Sequence, residues 1–295
     1  MVASKKWKER KEGLDGLLKL ATDNIRLDPK ANYNEIVDTL SKILAKDANI
    51  IVCAIAAKCI TQLAKGLRTK FGPHVSTFTP IIFEKFKEKK PLLRDALIEA
   101  IDALYAATTI DALCDDIVAA LGKPNPNIKI QANQFLCRVF KSFNAQNAPK
   151  KVVATLTPLI AKCTGASDQE AREASFAALG TIMKALGKSN AMAMLDGLSL
   201  DKAKMERIEK FYNDAVEEAK EEEENKRAAA QPTSAPAESK ASVASEDTIY
   251  LTKLLANVQE VIASKKCQER KDGLDGLLNS ATDNIRLAPV VENLS

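Results

Sequence analysis

Short polar interruptions recur along most of this chain at a nearly constant step. They centre near Trp7, Ala48, Lys90, Pro126 and Gln169, giving steps of 41, 42, 36 and 43 residues. Between interruptions the apolar residues fall at spacings of three and four, as in Tyr33, Ile36, Val37, Leu40, Ile43 and Leu44, or Leu93, Leu97, Ala100, Ile101 and Leu104. Each step therefore holds two amphipathic helices. A helix pair of about 40 residues cannot bury its apolar face alone, so copies must stack on one another into a solenoid. Composition agrees, because aromatics are 5% of the chain, glycines number 11 and good helix formers dominate.

Two phrases mark equivalent points of this repeat. FTPIIFEKF (78–86) and LTPLIAKC (156–163) both place Thr-Pro-apolar-Ile within a helical stretch. A proline inside a helix costs about 3 kcal/mol unless the architecture accepts it, so its use at matching points implies a shared bent helix. NIIVCAIAAKCITQLAKGL (49–67) is apolar nearly all round and predicts a helix covered on several sides. The fold class read from these patterns is all-α, a solenoid of HEAT-type helix pairs.

Chemistry is hard to find. The 43 basic and 39 acidic residues give a formal charge of +4, too small to predict nucleic-acid binding. The one histidine, His74, lies at a predicted helix start with no nucleophile motif or ligand spacing beside it. The six cysteines (Cys53, Cys59, Cys114, Cys137, Cys163, Cys267) form no CxxC and mostly fall on apolar helix faces, which reads as a reducing compartment. No Gly-rich phosphate loop or catalytic carboxylate pair is present. The opening MVASKKWKERK is no signal peptide and no membrane span is expected, so the reading is a cytosolic non-enzyme without metal or cofactor.

Beyond Gly187 the pattern changes. LSLDKAKMERIEKFYNDAVEEAKEEEENKR carries one apolar stripe (Met205, Ile208, Tyr212, Ala215) suited to capping a stack, then dissolves into charge. Residues 227–247 are rich in Ser, Pro and Ala and read as a flexible, disordered linker. Residues 248–295 form a short C-terminal helical fragment that rewrites the opening phrase. KKCQERKDGLDGLLNSATDNIRL (265–287) agrees with KKWKERKEGLDGLLKLATDNIRL (5–27) at 18 of 23 positions, with Cys267 in place of Trp7.

KKWKERKEGLDGL, KDANIIVCAIAAKCITQLAKGLR, FEKFKEKKPLLRDALIEAIDAL, NPNIKIQANQF, EAREASFAALGTIMKALG and LSLDKAKMERIEK together resemble the successive repeats of a TOG domain. Each motif is weak alone, and their order is the specific signal. The resemblance covers residues 4 to about 215 and is nearest to the second TOG domain of the ch-TOG and Mini spindles microtubule polymerases. It implies a paddle of HEAT repeats, residues 1–226 here, whose intra-repeat turns bind the αβ-tubulin heterodimer along one edge. It also implies a place at microtubule ends, spindle and centrosome, with no enzymatic activity, nucleic acid or membrane involved.

Carried onto this chain, the implied contacts are Trp7 and Lys8 in the first turn, Asn49 and Ile50 in the second, Lys89 and Lys90 in the third, Lys123 and Lys129 in the fourth, and Arg172 in the fifth. Each has a plainer alternative. Trp7 could cap the first repeat against Leu14, Asn49 could cap a helix, the lysines could be a solvated face, and Arg172 could pair with Asp168 inside its own repeat. The first repeat is expected to lack its leading helix, and TIYLTKLLANVQEVIA (248–263) to supply one, within the chain or by exchange between chains. The competing function classes are a HEAT scaffold for helical or acidic peptides and a non-functional truncated duplicate.

Overall fold

A computed structural model describes residues 4–198 and 200–229. The expectations for most of the linker, the C-terminal fragment with its second copy of the phrase, and helix exchange fall outside these residues. The described residues are helical throughout, with no strand among them: α1 (Trp7–Asp23), α2 (Asn34–Lys46), α3 (Ile50–Leu67), a short 3-10 turn (Arg68–Phe71), α4 (Gly72–Lys85), α5 (Pro91–Ala106), α6 (Ile110–Gly122), α7 (Pro126–Phe140), α8 (Lys150–Cys163), α9 (Gln169–Leu186), α10 (Lys188–Leu195) and α11 (Lys202–Ala229). Apart from the connector 27–32, they belong to one compact unit.

That unit has two layers. α1, α3 and α5 pack side by side, as do α7, α9 and α11, and α5 meets α7 only lightly. The second layer runs α2, α4, α6 and α8, and each of these also packs on the helix that follows it. The expected interruptions thus coincide with the starts of α1, α5, α7 and α9 and with the turn before α3. His74 sits half-buried in the first turn of α4 with its ring 5.5 Å from that of Phe71, the helix-start position expected for it.

The interior follows from the sequence pattern. α3 buries residues on every side, from Val52 and Cys53 to Ile60 and Leu63, against α1, α2 and α5. One 18-residue window in Ile50–Lys85 is apolar and long enough to cross a membrane by composition alone, at mean hydropathy 1.6. This corrects the expectation that the chain holds no such stretch. Two-thirds of that window (67%) is buried in the stack, which accounts for its apolar character.

The Thr-Pro phrases lie in equivalent helices, α4 and α8. In each the threonine hydroxyl donates to the carbonyl four residues back, Thr79 to Val75 (2.9 Å) and Thr157 to Val153 (2.7 Å). Pro80 and Pro158 are both exposed. The ladder bond each proline removes therefore opens toward solvent, where water can meet the freed carbonyl.

One glycine is fixed by packing. A Cβ on Gly180 of α9 would lie 2.7 Å from the Tyr212 backbone nitrogen and 2.7 Å from Phe211 Cβ, so α11 crosses α9 backbone to backbone. Gly16 in α1 has nothing within 4 Å of the same position. The two sites predict opposite responses to one substitution. Gly16→Ala should raise stability by about 0.5–1 kcal/mol through helix propensity. Gly180→Ala should lower it by about 1–3 kcal/mol through overpacking and speed amide exchange in α11. Chemical denaturation with hydrogen exchange of the two variants measures both.

Candidate protein-binding edge

The turns before α3, α5, α7 and α9, with residues 4–6 before α1, lie at the amino-terminal ends of one layer of helices. Side chains join them across the repeats. Arg10 of α1 grips Asp47 in the second turn through Nε to Oδ2 (2.6 Å) and Nη2 to Oδ1 (3.0 Å). Its Nη1 also donates to the carbonyls of Ser4 (2.8 Å) and Lys5 (3.0 Å). Glu84, at the end of α4, pairs with Lys87 of the third turn (3.4 Å) and Lys123 of the fourth (3.3 Å).

Local rules set how each helix begins. Asn49 caps α3 by accepting from Ile51 N (2.9 Å) and Val52 N (3.4 Å), Asn125 caps α7 through Asn127 N (3.0 Å), and Asp168 caps α9 through Ala171 N (2.9 Å). Pro91 and Pro126 occupy the first helical positions of α5 and α7, where no N–H is needed. α1 and α5 follow Lys6 and Lys90, which have no acceptor, and carry no side-chain cap. Their positive helix ends face outward beside lysines.

Two carboxylates on this edge, Asp47 and Glu84, are shifted toward the ionised form. Burial pushes Asp47 up, but hydrogen bonds from Arg10 and the Asn49 backbone N–H outweigh it, leaving Asp47 below its ordinary 3.8. Burial also raises Glu84, and Lys123 and Lys87 more than reverse that. Arg10 is driven up by its bond to Asp47.

The residues expected to make contacts divide into two groups. Trp7 is the first residue of α1 and 39% exposed, with Lys5, Lys6 and Lys8 exposed around it. Lys89 and Lys90 are exposed in the third turn, and no ion pair holds them among the described residues. Lys6 reaches Glu9 of its own helix (3.3 Å), and the others face solvent unengaged. Others already have work within the fold. Asn49 is a cap, Lys123 is paired with Glu84, and the Arg172 guanidinium donates to the carbonyls of Ala166 (2.9 Å) and Ser167 (2.8 Å). Arg172 thus braces its own turn through main-chain oxygens while Asp168 caps α9. Lys129 is half-buried on α7, and Ile50 is half-buried at the start of α3.

Two residues were not anticipated. Ile51 is 39% exposed and Leu92 is 51% exposed. With Trp7 they place one large apolar side chain at the head of each of α1, α3 and α5. Among the described residues the other exposed large apolar side chain is Ile25. The signal for Leu92 was its phase, since it falls one position off the buried stripe of Leu93, Leu97, Ala100 and Leu104.

Residues 1–212 match the family model described as XMAP215/Dis1/CLASP, TOG domain. The chain is 53% identical over 218 residues to Zygote defective protein 9 of Caenorhabditis elegans, covering 74% of this chain and 15% of that protein. It is 37% identical over 211 residues to Protein mini spindles of Drosophila melanogaster, covering 72% of this chain and 10% of that one. The chain therefore spans a small part of these relatives' length. A solved structure from work on microtubule plus end tracking by XMAP215, CLIP-170 and EB1 superposes with a TM-score of 0.69 at 37% identity, covering 72% of this chain and 88% of that one.

The stapled edge makes a prediction about acid. Asp47 ionises more readily folded than unfolded, so its contribution is complete above the ordinary value of 3.8 and is lost as pH falls through the lower folded value. Asp47→Asn should therefore be clearly less stable than the parent at pH 7. The gap should narrow at about pH 3, below the ordinary 3.8, because the unfolded carboxylate there takes up protons that the folded one resists. Urea melts of both proteins at the two pH values measure it.

Proposed function

The chain belongs to the XMAP215/Dis1/CLASP TOG-domain family, and from that premise we propose that it binds the αβ-tubulin heterodimer, without enzymatic chemistry, along the edge formed by the heads of α1, α3, α5, α7 and α9. The observation that carries this reading is the row of Trp7, Ile51 and Leu92 on three successive helix heads, with unengaged lysines between them. An exposed tryptophan is an expensive surface residue unless a partner covers it, and interface tryptophans commonly contribute more than about 2 kcal/mol. Lys5, Lys8, Lys89 and Lys90 then act on an acidic partner at a distance, raising the association rate and fixing orientation.

The two halves of the edge divide the work. The heads of α1, α3 and α5 offer apolar anchors, which set the lifetime of the complex. The heads of α7 and α9 offer Lys123, Lys129 and Arg172, which are more firmly held and act as positioned charges. The domain responsible is residues 1–226. The proposed settings are the spindle, the centrosome and microtubule plus ends, supported by the naming of the Drosophila relative and by the plus-end tracking work on the similar structure. Microtubule polymerisation is proposed as the process served, with this domain supplying the capture of tubulin.

Sedimentation of the chain with purified αβ-tubulin tests the reading. A one-to-one complex is expected, abolished by Trp7→Glu. The pair Lys89→Glu and Lys90→Glu should weaken it strongly at about 50 mM salt and much less at about 300 mM, because exposed charges are screened beyond a Debye length. A folded chain that ignores tubulin at both salts would sink the proposal in favour of a scaffold for other partners.

A further inference from the structure

The layer that carries the edge is not uniform. α1, α3 and α5 pack closely, and α7, α9 and α11 pack closely, but α5 and α7 share only a short contact. Specific side chains fasten the well-packed groups. Asn133 of α7 donates to Ser175 of α9 (3.2 Å), and α11 lies on Gly180. At the α5–α7 seam the fastening is of another kind. Phe135 is fully buried between Phe83 of α4 and Tyr105 of α5, with ring centroids 6.1 Å away on each side and both rings edge-on at 73° and 86°. Over it lies Arg138, whose guanidinium carbon is 5.9 Å from the ring centroid. Arg138 in turn makes a bidentate pair with Asp102 of α5, Nε to Oδ2 at 2.8 Å and Nη2 to Oδ1 at 2.9 Å. The Glu84–Lys123 pair makes a second crossing at the edge itself.

We propose that Phe135 is the pivot between the apolar and basic halves of the edge, and that the Asp102–Arg138 pair fixes the angle between them. Both would then be positioning residues for the partner although neither lies on the edge. The inference rests on the tubulin reading for its consequence, while the pivot itself stands on geometry alone.

An edge-to-face aromatic contact tolerates small rotations, because its attraction depends weakly on the exact tilt. A bidentate Arg–carboxylate pair does not, because both bonds must stay in one plane. The aromatic cluster therefore holds the halves together and the ion pair sets their angle. Asp102 and Arg138 lie far along their helices, and Phe135 is nine residues from the start of α7, about 14 Å from the edge at 1.5 Å per residue. A slack of about 5° there moves the edge by about 1 Å, enough to misplace charges relative to anchors. The pair is partly exposed, at 34% for Arg138 and 41% for Asp102, so its loss should loosen the seam without unfolding the stack.

The test uses the full chain with non-cysteine spin labels at Lys58 of α3 and Glu170 of α9, both exposed. Asp102→Arg, Arg138→Asp, their double exchange and the milder Asp102→Asn are compared with the parent. Each single variant should keep its helical signal, broaden the inter-label distance distribution and bind tubulin about fivefold more weakly. The double exchange should restore both. Single variants with the parent's distance distribution would overturn the pivot, whatever tubulin does. A broadened distribution with unchanged affinity would overturn the positioning role. A parent that ignores tubulin would instead remove the proposed function, and the label distances would still decide the pivot.

Discussion

Twelve of the eighteen residues of α3 are buried, so this helix has almost no face to offer to water. It can exist only when other helices cover it on several sides, and α1, α2 and α5 do so. That requirement propagates. α5, recruited to cover α3, presents its own stripe of Leu93, Leu97, Ala100 and Leu104 and must be covered in turn by α4. The short turns within each pair then leave the covering helices no choice but to alternate direction. The first layer consequently runs parallel, with every amino terminus on the same side.

Parallel stacking has an electrostatic cost that shapes the edge. Each helix start carries a partial positive charge, and several of them side by side repel one another and any lysine nearby. Asp47, Glu84 and Asp168 sit among these ends, each committed to a cation or to backbone N–H groups. They neutralise the interior of the edge and leave the outer lysines exposed. The same carboxylates brace the turns, so the outward charge rests on a rigid inner lattice. A solvated lysine face on a loose loop would steer a partner without orienting it.

Much of this was legible in the sequence because it is periodic. The interruptions near Ala48, Lys90, Pro126 and Gln169 recur with the repeat, and the matched Thr79-Pro80 and Thr157-Pro158 dipeptides do fall in equivalent helices. Trp7, a contact implied by the resemblance, stands among lysines at the head of α1. Non-periodic contacts left no comparable trace. Arg10 and Asp47 are 37 residues apart and their bond depends on how two repeats stack, not on any local pattern. Arg172 resembled the start of an ion pair with Asp168, but its guanidinium reaches back to main-chain carbonyls that the sequence does not display. Gly180 lies in an alanine-rich stretch of α9, and nothing local in that stretch marks it as the place where α11 crosses.

The lighter α5–α7 contact separates two kinds of binding group. Apolar anchors gain most when water is excluded from a closely fitted surface, which requires sub-ångström placement. Charges act over several ångströms and forgive small displacements, but their benefit depends on where they stand relative to the anchors. A continuous, evenly packed layer would lock the two sets in one relation dictated by the core alone. Within this layer the seam is bridged by one aromatic pivot and, with Glu84–Lys123 at the edge, two ion pairs. That leaves the relation more open to a few partly exposed side chains, Asp102 and Arg138 foremost. Substitution there can retune the angle of the edge without repacking the interior of either half.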